Sequence, residues 1–290
     1  MASTTLSSPP ALGAMYAKAG VAAMPGLGGL VRRGGSELPD STYSLAEQHI
    51  DVDHLAAYER VCGFRTSGVL PPTYLHVRAF PVTVALMTEP TFPFPLIGLV
   101  HVANSITVHR PVTSDEVVSF EVGAADLRPH AAGTQLDLVV TATVEGETVW
   151  TGRSTYLRRG KVSRPSGDKP KKTTSDAPSG PVALVRVPDD IGRRYGAVSG
   201  DRNPIHLYGL SAKLFGFPSA IAHGMWLKAR TLAALEGRLP DSFTVDVAFK
   251  TPVFLPTTVA ITAAESADGW ALDVRNARSG KPHLSGTVRR

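Results

Sequence analysis

The chain repeats itself at a long spacing. Tyr58, Val61 and Gly63 recur as Tyr195, Val198 and Gly200 (195 − 58 = 137). Further on, Val102 to Val112 alternates in character and ends in Arg110-Pro111-Val112, and Phe243 to Val253 alternates and ends in Thr251-Pro252-Val253 (252 − 111 = 141). Two units of the same order, one short deletion apart, predict a duplicated domain. Each unit reads as a short amphipathic helix (Val52 to Val61; Pro188 to Val198), a loop, a longer apolar helix and then strands of period-two alternation. In the second unit the long helix runs from about Gly224 to Glu236, Gly237 ends it, and strands follow at about 243–250, 257–264, 270–277 and 282–288. Helices precede runs of strands without βαβ alternation, which predicts the α+β class, with an antiparallel sheet wrapped around each long helix. Those helices are apolar on most faces and are expected to be buried.

The two units differ at one telling place. Gly200-Asp201-Arg202-Asn203-Pro204-Ile205-His206 packs an acid, an amide and an imidazole into one turn, and Ala222-His223-Gly224-Met225 opens the next helix. Asn203 precedes proline and is pushed out of the helical region, so the preceding helix stops and the chain can bend Asp201 and His206 toward one point. Histidine titrates near 6.5 and aspartate near 3.9, and burial raises the acid, so the pair can supply a proton donor and a proton acceptor. The same residues are also good turn chemistry, with Asp201 capping backbone amides and His206 on the surface. The other copy argues against turn chemistry alone. At the spacing of 137, Phe64 stands where the second unit has Asp201, and the loop Arg65 to Pro72 has no histidine.

Charge and cysteine content narrow the function classes. Of the formal charge of +5, the whole excess lies between Arg158 and Gly180, where seven cationic side chains face two acidic ones. A basic tether without interleaved aromatic residues is not a nucleic-acid groove, although it can attract an acidic carrier protein or thioester phosphates. Cys62 is the single cysteine, which excludes an internal disulfide and a multi-cysteine metal site and fits a reducing cytoplasm. No apolar run reaches the roughly 20 residues of a membrane span. In residues 11–31 the Arg32-Arg33 pair follows the apolar stretch, the reverse of a secretory signal, so an N-terminal arm of one helix and a glycine-rich loop is expected. The organisation is then residues 1–37, arm; 38–158, a first domain without catalytic groups; 159–180, linker; 181–290, the catalytic domain.

Tyr195-Gly196-Ala197-Val198-Ser199-Gly200-Asp201-Arg202-Asn203-Pro204-Ile205-His206, followed by Ala212-Lys213-Leu214-Phe215-Gly216-Phe217-Pro218 and Ile221-Ala222-His223-Gly224-Met225, resembles the signature of the MaoC-like dehydratases, the (R)-specific enoyl-thioester hydratases. From about residue 38 to 290 the chain is similar to the two-domain mycobacterial (3R)-hydroxyacyl-thioester dehydratases. The resemblance implies a double hot-dog fold, syn addition or loss of water on a CoA or acyl-carrier-protein thioester in fatty-acid metabolism, and no metal or cofactor. It places Asp201 and His206 at the acid/base positions, Asn203 at the amide that holds the water and shapes the loop, and Gly224 at a backbone N–H facing the thioester oxygen. Which of Asp201 and His206 serves the water and which the α-carbon stays open. Lys213, Lys250 and Arg275 are candidates for the thioester phosphates, and Phe94 in Phe92-Pro93-Phe94-Pro95 for an acyl channel. His223 is either a third polar group of the site or a packing residue. Ranked below are a metal bound by Asp201, His206 and His223, a hot-dog thioesterase, and a non-catalytic acyl-thioester binding module. A homodimer is open as well, since hot-dog domains associate through their sheets and the duplication can already satisfy that need.

Overall fold

The structure, a computed structural model, describes residues 2–16, 37–160 and 180–290. The glycine-rich part of the arm and most of the basic linker lie outside the described residues. The first repeat runs β2 (Ser41–Gln48), α1 (Val52–Cys62), α2 (Tyr74–Met87), β3 (Leu99–Val108), β4 (Val118–His130), β5 (Gly133–Val144) and β6 (Glu147–Arg159). The second runs β7 (Val182–Val187), α3 (Ile191–Ser199), the short α4 (Pro204–Leu207) and α5 (Gly209–Leu214), α6 (Gly224–Ala233), and then β8 (Phe243–Phe249), β9 (Thr257–Ser266), β10 (Gly269–Asn276) and β11 (Pro282–Arg289). A further strand, β1 (Ala2–Leu6), belongs to the arm and pairs in parallel with β2.

The eleven strands of the described residues form one sheet in the order β1-β2-β4-β5-β6-β3-β8-β11-β10-β9-β7. Read outward from its middle, each half has the same sequence of partners, so the duplication seen in the residues is a duplication of topology. The halves join edge to edge through the antiparallel pair β3 and β8, in which Ser105 faces Asp246. These two residues are 141 apart (246 − 105), the spacing of the second repeat match, so equivalent positions meet at the seam. A fully buried lysine closes it from the helix side. Lys228 of α6 donates from Nζ to Asn104 Oδ1 (2.6 Å), Val245 O (3.1 Å) and Asn104 O (3.3 Å), and so its three protons are all satisfied.

The first long helix is buried along nearly its whole length, with Leu75, Val82 and Leu86 packed under Phe120 and Val140 of the sheet. In the other half Trp226, Leu227 and Leu232 of α6 join Val245 and Val274 in the same core. Each such side chain contributes about 2 kcal/mol by leaving water. The paired helices α1 and α3 share their ends as well as their sequence. Both stop at a glycine in the left-handed region, Gly63 (φ 79) and Gly200 (φ 74), and Tyr58 and Tyr195 approach with ring centroids 6.3 Å apart. Gly200 delivers the chain directly into the turn that holds Asp201.

Candidate active site

The turn after α3 is built locally. Asp201 Oδ1 accepts the backbone N–H of Asn203 (3.2 Å), and Asn203 Oδ1 accepts that of Ile205 (3.4 Å), capping α4 with Pro204 at its first position. The turn chemistry expected of Asp-x-Asn-Pro is therefore present, yet His206 does not stay on the surface. It is buried at 9% exposure, because α4 lies against α3 at Gly192, where any Cβ would overlap the His206 carbonyl. The imidazole Nδ1 contacts Ile221 O at 2.8 Å. A carbonyl only accepts, so Nδ1 carries the proton and Nε2 keeps its lone pair.

His223 ties this turn to the start of α6. Its Nε2–H donates to the backbone carbonyl of Asp201 (2.9 Å), and its ring stacks on His206 with centroids 3.7 Å apart. One carboxylate oxygen of Asp201 and one ring nitrogen from each histidine lie within 4.8 Å of one another. Such a spacing alone admits a divalent ion. The nitrogen that His223 turns toward the Asp201 carboxylate, however, is the proton-bearing Nε2, 3.8 Å from Oδ2, which is a donor and not a metal ligand. Both imidazoles are instead hydrogen-bonded to backbone carbonyls, His223 to that of Asp201 and His206 to that of Ile221, beside the Asp201 carboxylate.

Electrostatics fixes its resting state. Burial raises the Asp201 pKa, but His223, His206, the Asn203 N–H and the hydroxyl of Tyr16 outweigh it and hold the carboxyl below its ordinary value. Burial pushes His206 down, and Asp201 only partly restores it. His223 falls to about 3, also through burial. At neutral pH the cluster is thus a carboxylate beside neutral imidazoles. The expectation that burial would raise the Asp201 pKa is corrected: His223, His206, the Asn203 N–H and the Tyr16 hydroxyl together outweigh burial.

The cluster opens into a cavity of about 220 Å³ whose other wall comes from the first repeat. Val77, Phe80 and Met87 of α2 and Leu96, Ile97 and Leu99 before and on β3 form the apolar part of that wall, beside His76, His101 and Tyr156. Gly224 lines the polar end at the first position of α6, where the N-terminal N–H groups and helix dipole favour negative charge. A Cβ on Gly224 would sit 3.0 Å from the Phe249 ring, so the missing side chain makes room for Phe249 of the wall. A second cavity, of about 240 Å³, occupies the equivalent place in the first repeat. It is lined by Phe64, Leu70, Val112 and Trp150 and by no histidine, consistent with Phe64 replacing the acid.

Comparison with known proteins gives the family. Residues 163–284 match the MaoC like domain. Over 253 residues the chain is 40% identical to 3-hydroxyacyl-thioester dehydratase X of Mycobacterium tuberculosis, covering 87% of this chain and 90% of that protein. The chain belongs to the MaoC-like dehydratase family. The crystal structure of M. tuberculosis HtdX superposes with a TM-score of 0.76 at 39% identity, over 86% of this chain and 99% of that one, and the architecture is the double hot-dog. An acyl-ACP thioesterase from Bacteroides thetaiotaomicron shares the fold alone, at 13% identity, a TM-score of 0.54 and coverage of 86% of this chain and 96% of that one.

Within this MaoC-like frame the four motif residues Asp201, Asn203, His206 and Gly224 all line one cavity, and Lys250 joins them from its exposed rim. Three other candidates do not. Phe94 is packed against the hydrophobic core and is absent from the lining, which Phe80 and Leu96 supply instead. Lys213 is exposed on α5, outside the lining. Arg275 is bound to Asp273 through Nε (2.7 Å) on β10 and also lies outside it. Arg159, counted only as linker charge in the sequence, stands at the rim. Sequence reasoning also missed His76 and His101, which burial lowers to about 4 and about 3, and Tyr16, whose O–H donates to Asp201 Oδ1 (3.0 Å) across a separation of 185 residues. No local pattern announces any of the three.

Proposed function

We propose that the chain catalyses the reversible dehydration of (3R)-3-hydroxyacyl thioesters, of CoA or acyl carrier protein, to trans-2-enoyl thioesters, as a hydro-lyase of fatty-acid metabolism without metal or cofactor. The observation that carries the reading is the convergence of three features at one end of an apolar cavity: the Asp201 carboxylate, the free Nε2 of His206 and the N-terminus of α6. In the hydration direction, water held between Asp201 and His206 gives a proton to one of them as its oxygen bonds to C3. The C2–C3 π pair moves toward the thioester carbonyl, whose oxygen takes negative charge. The Gly224 N–H and the dipole of α6 favour that charge. The base then returns a proton to C2 and the carbonyl re-forms, so atoms and charge balance. Both groups are unprotonated at rest, so the proton placed on C2 comes from the water through the cluster. A syn course suits this, because one side of the substrate meets both groups.

The apolar wall from residues 38–158 suits an acyl chain, while Lys250 and Arg159 at the rim suit the phosphates of the thioester carrier. This supports the division into an arm (1–37), a non-catalytic acyl-binding half (38–158), a linker (159–180) and a catalytic half (181–290). Asn203 contributes through the shape of the loop, since its side-chain oxygen is already engaged in capping α4. No described helix is long and apolar enough to cross a membrane, which is compatible with a cytoplasmic enzyme. The test is hydration of crotonyl-CoA by the purified protein and by Asp201→Asn and His206→Ala. Loss of the enoyl absorbance with the parent protein and not with either variant supports the reading. Binding without turnover, on carrier-protein thioesters and longer chains as well, would replace it with a binding module.

A further inference from the structure

The N-terminal arm reaches the reaction centre, and nothing in the motif requires it to. After β1 pairs with β2 at the far edge of the sheet, residues 12–16 are helical and bring Leu12 and Tyr16 onto the turn in the other repeat. Leu12 packs against Gly200, where a Cβ would overlap its Cδ1, and the next residue, Asp201, accepts the Tyr16 hydroxyl at 3.0 Å. The Arg202 N–H is turned to the same phenolic oxygen. Tyr16 also lines the cavity.

We propose that Tyr16 is a positioning residue of the active site, holding Asp201 by a hydrogen bond to Oδ1 so that Oδ2 is the oxygen presented to substrate. Oδ1 accepts the Asn203 N–H from within the turn and the Tyr16 O–H from the arm, which occupies its two lone pairs. Oδ2 remains, on the side of His223, 3.8 Å from its Nε2. A carboxylate held by a single backbone donor can rotate about its terminal torsion, whereas two donors on one oxygen fix the plane. The arm thus brings a residue from the start of the chain to a carboxylate whose other hydrogen-bond donor lies within its own turn.

The inference rests on Asp201 acting in the proposed reaction. The other groups facing its carboxyl are His206 of α4 and His223 ahead of α6, with Tyr195 of α3 and Tyr156 of β6 as uncharged phenols. His76 of α2 and His101 of β3 lie behind them and are neutral. Removing the Tyr16 donor leaves Asp201 less stabilised as an anion and strengthens its pull on the His206 proton. Both effects move protonation of the cluster to higher pH.

The experiment compares full-length Tyr16→Phe with the parent and with Asp201→Asn, on crotonyl-CoA, across pH, with thermal melting in parallel. The expected result for Tyr16→Phe is an unchanged melting temperature, a fall of about tenfold in kcat, and an acid limb of kcat/KM displaced to higher pH. A purely structural tyrosine would leave that limb in place. An unmoved limb, or a lower KM with kcat intact, which would mark the tyrosine as a plug, overturns the proposal. Retained activity in Asp201→Asn would overturn the reaction centre itself; a dead Asp201→Asn beside an unmoved Tyr16→Phe limb would overturn only the role of Tyr16.

Discussion

Replacing His223 separates anchoring from packing. The side chain is 3% exposed and, at about 3, is neutral across the working pH range, so its loss removes no charge. His223→Ala deletes the donor to the Asp201 carbonyl and leaves a void between His206 and Tyr195, whose rings lie 3.7 Å and 4.9 Å from it. A lost hydrogen bond with its acceptor left buried costs about 2 kcal/mol, and the void adds about 1 kcal/mol after partial collapse. The expected loss is about 3 kcal/mol by urea denaturation. His223→Phe keeps most of the volume and the stack and should lose about 2 kcal/mol, the cost of the unpaired acceptor alone. Both variants free the backbone of Asp201, however, and a shift of about 1 Å in a reacting group costs on the order of a hundredfold in rate. Crotonyl-CoA hydration should therefore fall about a hundredfold in kcat in both, while their stabilities differ. Parental kcat in His223→Phe would show the opposite, a ring that fills space and does not hold the acid.

Other expectations follow from the same geometry. Because the pKa values of His206 and Asp201 are both depressed in the folded protein, kcat/KM should stay level as pH falls past about 6.5 and decline only below it; a pH–rate series with an acid limb above that value would contradict the resting state described. Stability should fall over the same range, since the unfolded chain takes up protons below about 6.5 that buried His76, His101 and His223 do not bind until about 4, 3 and 3, and melting against pH reads this. Exhaustive treatment with EDTA should leave hydration unchanged, and metal-dependent loss and recovery would revive the two-histidine, one-carboxylate alternative. Phe80→Trp should shift the preference toward shorter acyl chains, while Phe94→Trp, outside the lining, should leave the chain-length profile as it is.

The repeat was legible because both its halves keep the residues that geometry demands. Gly63 and Gly200 each terminate a helix with positive φ, and the alternation around Ile106 and Val245 belongs to the two strands that meet at the seam. The turn at Asp201 was legible for the same reason, since Asn203-Pro204 dictates its bend. Local pattern stopped being informative at the edges and across the cavity. Strand β7 is exposed along most of its length and has no alternation to read. The Phe-Pro-Phe-Pro stretch looks like a special wall, but Phe92 and Phe94 turn into the core, and residues of ordinary helical appearance such as Phe80 face the cavity instead. The sign of the Asp201 shift draws on His223 and Tyr16 as well as on the local His206 and Asn203, and the first two, 22 and 185 residues away, are contacts that no turn rule encodes.

In the proposed reaction this cluster adds water to C3 of an enoyl thioester and leaves the thioester intact. One reaction tests it: crotonyl-CoA with the purified protein, following enoyl absorbance and free thiol together and offering the product to an (S)-specific 3-hydroxyacyl-CoA dehydrogenase. The predicted result is loss of the enoyl signal, no thiol release, and a product the dehydrogenase refuses. Thiol release in step with substrate loss would make the protein a thioesterase, and a product readily oxidised would place the water on the opposite face of C3.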